Sequence, residues 1–328
     1  MTKLREALFL LCFGFAGASA QQRAAPRAEL WAFAGPWDAR SDSSLRANAR
    51  RLDVAVTGWI ELDSLKAEPV FPVNFPDTMR LVSGLERMAL VTTWQTDRFH
   101  PSTVRMLARD DAKLARVAGA IAGHSAKMHY TGLVLDFEEL ERSDVPSLVR
   151  VVKAIADSAH KHGIASIVVA VPALGLAAYP GRALAAVADF IMPMLYDQHW
   201  STSGPGPISE PGWVRSALAG RVAEVGAAKI IAAFPTYGYR WSPKSGKPAE
   251  PISFAAARRA ASQAGVSLER DGASHTMRAV KRGEWEIWAT DAGLLTSLAR
   301  EAKEAGVQRV ALWRIGLEDP DIWRALAR

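Results

Sequence analysis

The sequence predicts an α/β chain closed into an eight-stranded (β/α)8 barrel, with a small α+β insertion between strands 7 and 8. Three observations predict it. Eight short apolar runs rich in Val, Ile and aromatic residues recur along the chain. Amphipathic stretches of helical period separate most of them. The runs are apolar at nearly every position, as in the strands of a parallel sheet covered by helices. An open doubly wound sheet is the competing arrangement, but no G-x-G-x-x-G opens a helix after the first strand. Eight such units in about 300 residues suit a closed barrel.

The first twenty residues stand apart. Lys3 and Arg5 form a basic head, residues 7–15 are apolar, and Ala18, Ser19 and Ala20 form a small-residue cleavage signature. This pattern predicts a secretory signal peptide over 1–20, the apolar run being too short to span a bilayer. Residues 21–29 read as a linker, and 30–328 as the barrel. Cys12 is the sole cysteine, so the exported chain folds without disulfides, which a core of this size permits. The expected location is periplasmic or extracellular, with no integral membrane segment after cleavage.

Strands are expected at 30–37, 54–60, 88–94, 132–138, 166–172, 190–196, 229–235 and 309–315. The clearest helices fall at 102–123, 145–162, 181–188 and 213–225. Between strands 7 and 8 the interval is too long for a simple crossover. It carries a helix (254–264), a hairpin (275–280 with 284–288, turning at 281–283) and a second helix (292–305). The helix and hairpin are assigned to an inserted lobe at about 242–290, and the second helix to the delayed barrel layer.

Composition narrows the function. The chain has 328 residues, 49% hydrophobic and 23% charged, with 40 Lys and Arg against 34 Asp and Glu. That is globular composition, and its mild basicity comes without a Lys/Arg tract of the kind that tracks nucleic acid. No nucleic-acid partner, cofactor or metal is expected. His199 stands beside Asp197, but no second ligand recurs at metal spacing nearby. It reads as a hydrogen-bonded residue at a cleft rim.

The fourth strand carries the chemistry. In Gly132-Leu133-Val134-Leu135-Asp136-Phe137-Glu138, alternation puts Val134, Asp136 and Glu138 on one face and Leu133, Leu135 and Phe137 on the other. The three large apolar residues belong against the helices. Asp136 and Glu138 therefore point into the barrel at its C-terminal mouth, where active sites of this fold lie. Two adjacent inward carboxylates cannot both ionise freely, so one pKa rises. A carboxylic acid kept protonated near neutrality can protonate a leaving-group oxygen, and Glu138, nearest the mouth, is the better candidate. The competing structural roles are pairing with a buried arginine and capping the next helix.

At these residues the sequence resembles glycoside hydrolase family 18, the chitinase-like barrels, whose fourth strand ends D-G-x-D-x-D-x-E. Gly132, Asp136 and Glu138 match, whereas Thr131 and Val134 replace two acidic positions. Residues 191–197 (I-M-P-M-L-Y-D) resemble the sixth-strand motif, 234–238 (F-P-T-Y-G) the seventh, and 311–319 (A-L-W-R-I-G-L-E-D) the eighth with its floor tryptophan. The wording around Tyr196 to Trp200, the inserted lobe and the W-R-I-G-L-E-D-P ending look most like the spore-germination-type, cell-wall-directed branch.

The resemblance implies a retaining hydrolase of β-linked N-acetylhexosamine polymers, peptidoglycan or a chitin-like glycan. Tyr196 and Asp197 would position the N-acetyl group, Asp136 would orient its nitrogen, and Met194 would pack beneath it. Tyr237 and Trp313 would line the same subsite. The N-acetyl oxygen would attack the anomeric carbon, with Glu138 as acid and then base, the substrate-assisted exception to two-carboxylate hydrolysis. Six tryptophans (Trp37, Trp59, Trp94, Trp200, Trp241 and Trp313) fall at or just past predicted strand ends. Flat rings beside carboxylates suit sugar faces, so Trp37 and Trp200 join the substrate-binding set. The alternative function is a non-catalytic lectin on a degenerate barrel, favoured by Thr131 and Val134 and opposed by an intact Glu138. The expected partner is a polysaccharide, and the expected state a monomer.

Overall fold

A computed structural model describes residues 28–71, 84–243 and 246–326. The expected signal segment (1–20) and nearly all of the linker lie outside the described residues. Seven barrel strands precede the insertion in chain order: β1 (Glu29–Ala34), β2 (Val54–Leu62), β3 (Glu86–Thr92), β4 (Gly132–Asp136), β5 (Ser166–Pro172), β6 (Phe190–Met194) and β7 (Ala232–Pro235), besides two-residue strands at Pro69–Val70, Trp94–Gln95 and Arg98–Phe99. The insertion supplies β8 (Tyr237–Trp241), β9 (Glu250–Ser253), β10 (Glu269–Arg270), β11 (Met277–Lys281) and β12 (Trp285–Ala289), and the barrel resumes with β13 (Arg309–Ile315).

Strands β1 to β7 and β13 pair in parallel, and β1 bonds to both β2 and β13, so the sheet closes. Around the ring the order is β1, β13, β7, β6, β5, β4, β3, β2. The fold is the expected (β/α)8 TIM barrel. Closure leaves Trp31, Phe33, Val56, Leu90, Val134, Val168 and Met192 inside as one core. A second core lies outside the sheet, where Leu133, Leu135 and Phe137 meet helix residues such as Leu148, Val151 and Ile155. Gly132 permits the start of β4, because a Cβ there would stand 2.3 Å from the Met88 Cε and 2.6 Å from the Ser166 carbonyl.

The helical layer includes α1 (Ala39–Asn48), α2 (Pro101–Ala108), α3 (Asp111–Lys127), α4 (Val145–Lys161), α5 (Gly181–Ala185) and α6 (Pro211–Val225). A single helix was expected over 102–123, but the chain divides it. Asp110 is extended and its side chain accepts from the Lys113 amide at 2.9 Å, capping α3 as a separate helix.

The insertion differs from the sequence reading at its start. Tyr237, two residues beyond Pro235, opens β8, which pairs with β9 and with β12. The lobe sheet therefore begins at Tyr237 rather than near residue 242. Its order is β9, β8, β12, β11, β10, and α7 (Phe254–Gln263) covers it through Phe254, Ala257 and Ala261 against Trp285 and Ile287. Gly238 is required at the β8–β12 contact, since a Cβ would stand 2.2 Å from the Trp288 carbonyl. Helix α8 (Ala292–Glu304) returns to the barrel layer and packs on α6.

Candidate active site

The barrel's C-terminal mouth opens into a cleft of about 800 Å³. Asp136 ends β4 and Glu138 follows two residues later; both line the cleft, while Leu135 and Phe137 are buried in the outer core. The alternation read from the sequence is the one the strand adopts. Asp136 and Glu138 hydrogen-bond to each other, and the Thr92 hydroxyl at the end of β3 donates to Asp136 Oδ2 at 3.1 Å. The same hydroxyl accepts from the Trp94 amide at 3.0 Å, which fixes its direction.

Burial dominates the electrostatics. It pushes the Asp136 carboxyl up to about 6, against the opposing hydrogen bonds from Thr92 and Glu138. Glu138 is driven well above the usual carboxylate range, first by burial and then by the charges of Asp136 and Asp197. Asp197 is raised to about 6 by burial, opposed by hydrogen bonds from Tyr237 and Tyr239. Burial and the neighbouring charges therefore favour the protonated form of Glu138 beside two acids whose own pKa values are raised.

Around these acids stand the aromatic groups. The Tyr196 and Trp313 rings lie nearly parallel with centroids 6.4 Å apart, and Phe33 supports Trp313 edge-on at 5.2 Å. Met194 and Tyr237 also line the cleft. Trp37, Trp59 and Trp94 continue its wall over the ends of β1, β2 and β3, with Trp37 and Trp59 in edge contact at 4.6 Å. Such a row offers flat apolar faces next to hydrogen-bonding groups.

Two of the six tryptophans sit elsewhere. Trp200 is 49% exposed, donates from its indole N–H to the Thr202 hydroxyl, and does not line the cleft. Trp241 is buried beside Ile208, Ala249 and Trp288, where it joins the lobe to the barrel. Both follow strand ends in sequence, yet the chain beyond β6 folds back through Ile208 and β8 turns outward, carrying them off the mouth.

The two substituted acidic positions also separate. Thr131 is exposed at the opposite end of β4 from Asp136, bonded to the Arg87 carbonyl. Val134 is buried in the inner core and lines the cleft beneath Asp136. Thr92, Tyr239 and Arg314 belong to the site without having been singled out in the sequence. Tyr239 alone had a local signal, lying two residues from Tyr237 on one strand face. His199 bonds the Gly204 carbonyl at 2.9 Å. Among the described residues, no group of three His, Cys, Asp or Glu side chains is arranged to hold a metal.

No family model matches the chain. A cortical fragment-lytic enzyme of Bacillus subtilis (strain 168) is 23% identical over 254 residues, 73% of this chain and 59% of that protein. The chain thus spans about three-fifths of the length of that relative. Its fold matches the spore cortex-lytic enzyme of Bacillus megaterium with a TM-score of 0.81, at 19% identity over 92% of this chain and 73% of that one. A family 18 chitinase from Cycas revoluta, solved with (GlcNAc)3, gives a TM-score of 0.74 at 18% identity over 91% of this chain and 98% of that one. Sequence relatives and fold neighbours thus agree with the motifs: the chain is similar to the cell-wall-directed branch of glycoside hydrolase family 18.

Proposed function

We propose that the protein is an exported retaining glycoside hydrolase that cleaves β-linked N-acetylhexosamine polymers, peptidoglycan or a chitin-like glycan, by substrate-assisted catalysis. One observation carries this reading: the hydrogen-bonded Asp136–Glu138 pair, with Asp197, faces a cleft floored by Trp313 and Tyr196. The names of the relatives support a wall or chitin substrate. The segment 1–20 supports export.

In this mechanism Glu138 gives its proton to the glycosidic oxygen as that bond to the anomeric carbon breaks. The N-acetyl carbonyl oxygen of the same sugar attacks the anomeric carbon from the opposite face and forms a cyclic oxazolinium ion. Asp136 accepts a hydrogen bond from the acetamido N–H, which gains positive charge in that step. Tyr196 and Asp197 hold the acetamido group, and Tyr237 and Tyr239 hold Asp197 in turn. Water then attacks the anomeric carbon and gives its proton to the Glu138 carboxylate, opening the ring. Two inversions retain configuration. Met194, buried under this position, keeps its floor apolar.

The test is incubation with purified peptidoglycan and with chitin, reading reducing ends released and the configuration of the new anomeric centre. Release from at least one polymer with retained β configuration is expected. Binding to both without release identifies a lectin, and an inverted product removes the acetamido nucleophile.

A further inference from the structure

Among the described residues that line the cleft there is one cation, Arg314. It follows the floor residue Trp313 on β13. That strand lies four places round the eight-strand ring from β4, so Arg314 lines the mouth on the side opposite the strand that carries the acids. Its Nη1 donates to Asp38 Oδ2 at 2.8 Å and to the Ser41 hydroxyl at 3.1 Å. Its Cζ lies 5.6 Å from the Trp37 ring centroid, and Trp37 is 57% exposed. No described residue accepts from Nε or Nη2, the second edge of the fork.

The pairing leaves positive charge over. Asp38 caps α1 and accepts from both Arg314 and Arg40. Burial pushes its carboxyl upward, but those guanidinium bonds win and hold it far below the usual carboxylate range. Asp38 is thus anionic at any working pH, one carboxylate set between two guanidinium groups. A neutral N-acetylhexosamine polymer offers such a fork only uncharged hydroxyl and carbonyl acceptors. A free guanidinium edge beside an exposed indole suits a carboxylate attached to a sugar, through two parallel N–H bonds and stacking of the ring.

We propose that Arg314 and Trp37 form a subsite for a carboxylate borne by the glycan, so that the cleft prefers an acidic N-acetylated wall polymer to neutral chitin. This deepens the hydrolase reading and rests on that cleft being the glycan site. The carboxylate has two possible sources, an ether-linked lactyl group on the sugar or the peptide attached to it.

The experiment compares affinities of the full chain and of Arg314→Gln for three oligomers of equal length. One is peptide-free wall glycan with alternating N-acetylmuramic acid, one carries peptide stems, and one is chitin. The substitution should weaken binding of at least one acidic oligomer by about tenfold or more, the scale of one charge-assisted contact, and of chitin several-fold less. Selective loss on the peptide-free glycan assigns the lactyl carboxylate; selective loss only on the stemmed one assigns the peptide. Equal losses on all three, or none, overturn the subsite. Salt provides a check without a variant: wild-type affinity for the acidic oligomer should fall between low and high ionic strength while chitin affinity holds. Binding without cleavage would sink the hydrolase and leave these affinities to judge Arg314 separately.

Discussion

The Tyr179 hydroxyl donates to the Phe137 carbonyl at 2.9 Å and accepts from the Leu140 amide at 3.1 Å, so one buried phenol spans the step that carries Glu138. The chain turns there through Glu139 at φ 58°, a left-handed conformation uncommon outside glycine. Tyr179 is fixed in turn by the fully buried Arg221, whose Nη1 donates to the Tyr179 carbonyl at 2.8 Å and whose Nη2 donates to the Pro172 carbonyl at 2.9 Å. A chain of bonds thus runs from α6 to the acid without touching the cleft.

Replacing Tyr179 with Phe unpairs both backbone groups, at a cost of about 1–3 kcal/mol each way the bond is lost. The expected kinetic signature is that of a positioning residue. We predict that kcat falls by about tenfold, the scale of a slightly misplaced catalytic group, with KM changed by less than about twofold. Steady-state kinetics on an N-acetylglucosaminide oligomer checks this, and a rise in KM with unchanged kcat would contradict it.

Activity should depend on pH through the shared proton. If Glu138 donates the proton as proposed, raising pH strips it, and kcat/KM should fall on the alkaline side through its raised pKa. The Asp197 charge helps raise it. Asp197→Asn should therefore move that alkaline limb to lower pH, besides lowering activity by loosening the acetamido contact. A limb that stays in place would show that Asp197 does not act on Glu138 electrostatically.

The same substitution has a stability sign. Asp197 titrates at about 6 in the fold, against about 3.9 in an unfolded chain. Below about pH 4 it is neutral in both states and costs nothing. Between about 4 and 6 the fold resists its ionisation, and above 6 the full penalty applies, on the order of 1–3 kcal/mol. Melting temperatures should rise for Asp197→Asn at pH 8 and stay nearly unchanged at pH 4.

Tryptophans that look alike in sequence should separate under alanine substitution. Trp37→Ala removes an exposed wall of the cleft, so glycan affinity should drop by about tenfold, the scale of one lost aromatic contact, with little change in melting temperature. Trp241→Ala empties a buried position between lobe and barrel and should cost about 3–5 kcal/mol of stability. Thermal denaturation and calorimetric titration of both variants decide this.

Local periodicity made β4 legible. Asp136 and Glu138 had to share a face because Leu133, Leu135 and Phe137 needed the other, and this survives in the structure. The partners of those acids were not legible, since Thr92 is 44 residues from Asp136 and Tyr179 is 42 from Phe137, brought near only by barrel closure. Tyr237 sits in a recognisable motif, but its departure into the lobe sheet depends on pairing with Ser253 on β9 and on the approach of β12. Trp313 lies within β13, whereas Trp200 follows β6 and Trp241 ends β8, and only the path of the chain keeps those two from the mouth.

The most direct measurement is turnover of a fluorogenic N-acetylglucosaminide oligomer by wild type and Glu138→Gln, with oligomer affinity measured alongside. Removing the general acid should lower kcat by about a hundredfold or more while affinity stays within about threefold. A Glu138→Gln protein that keeps more than about a tenth of wild-type turnover would contradict the assignment of Glu138 as the proton donor.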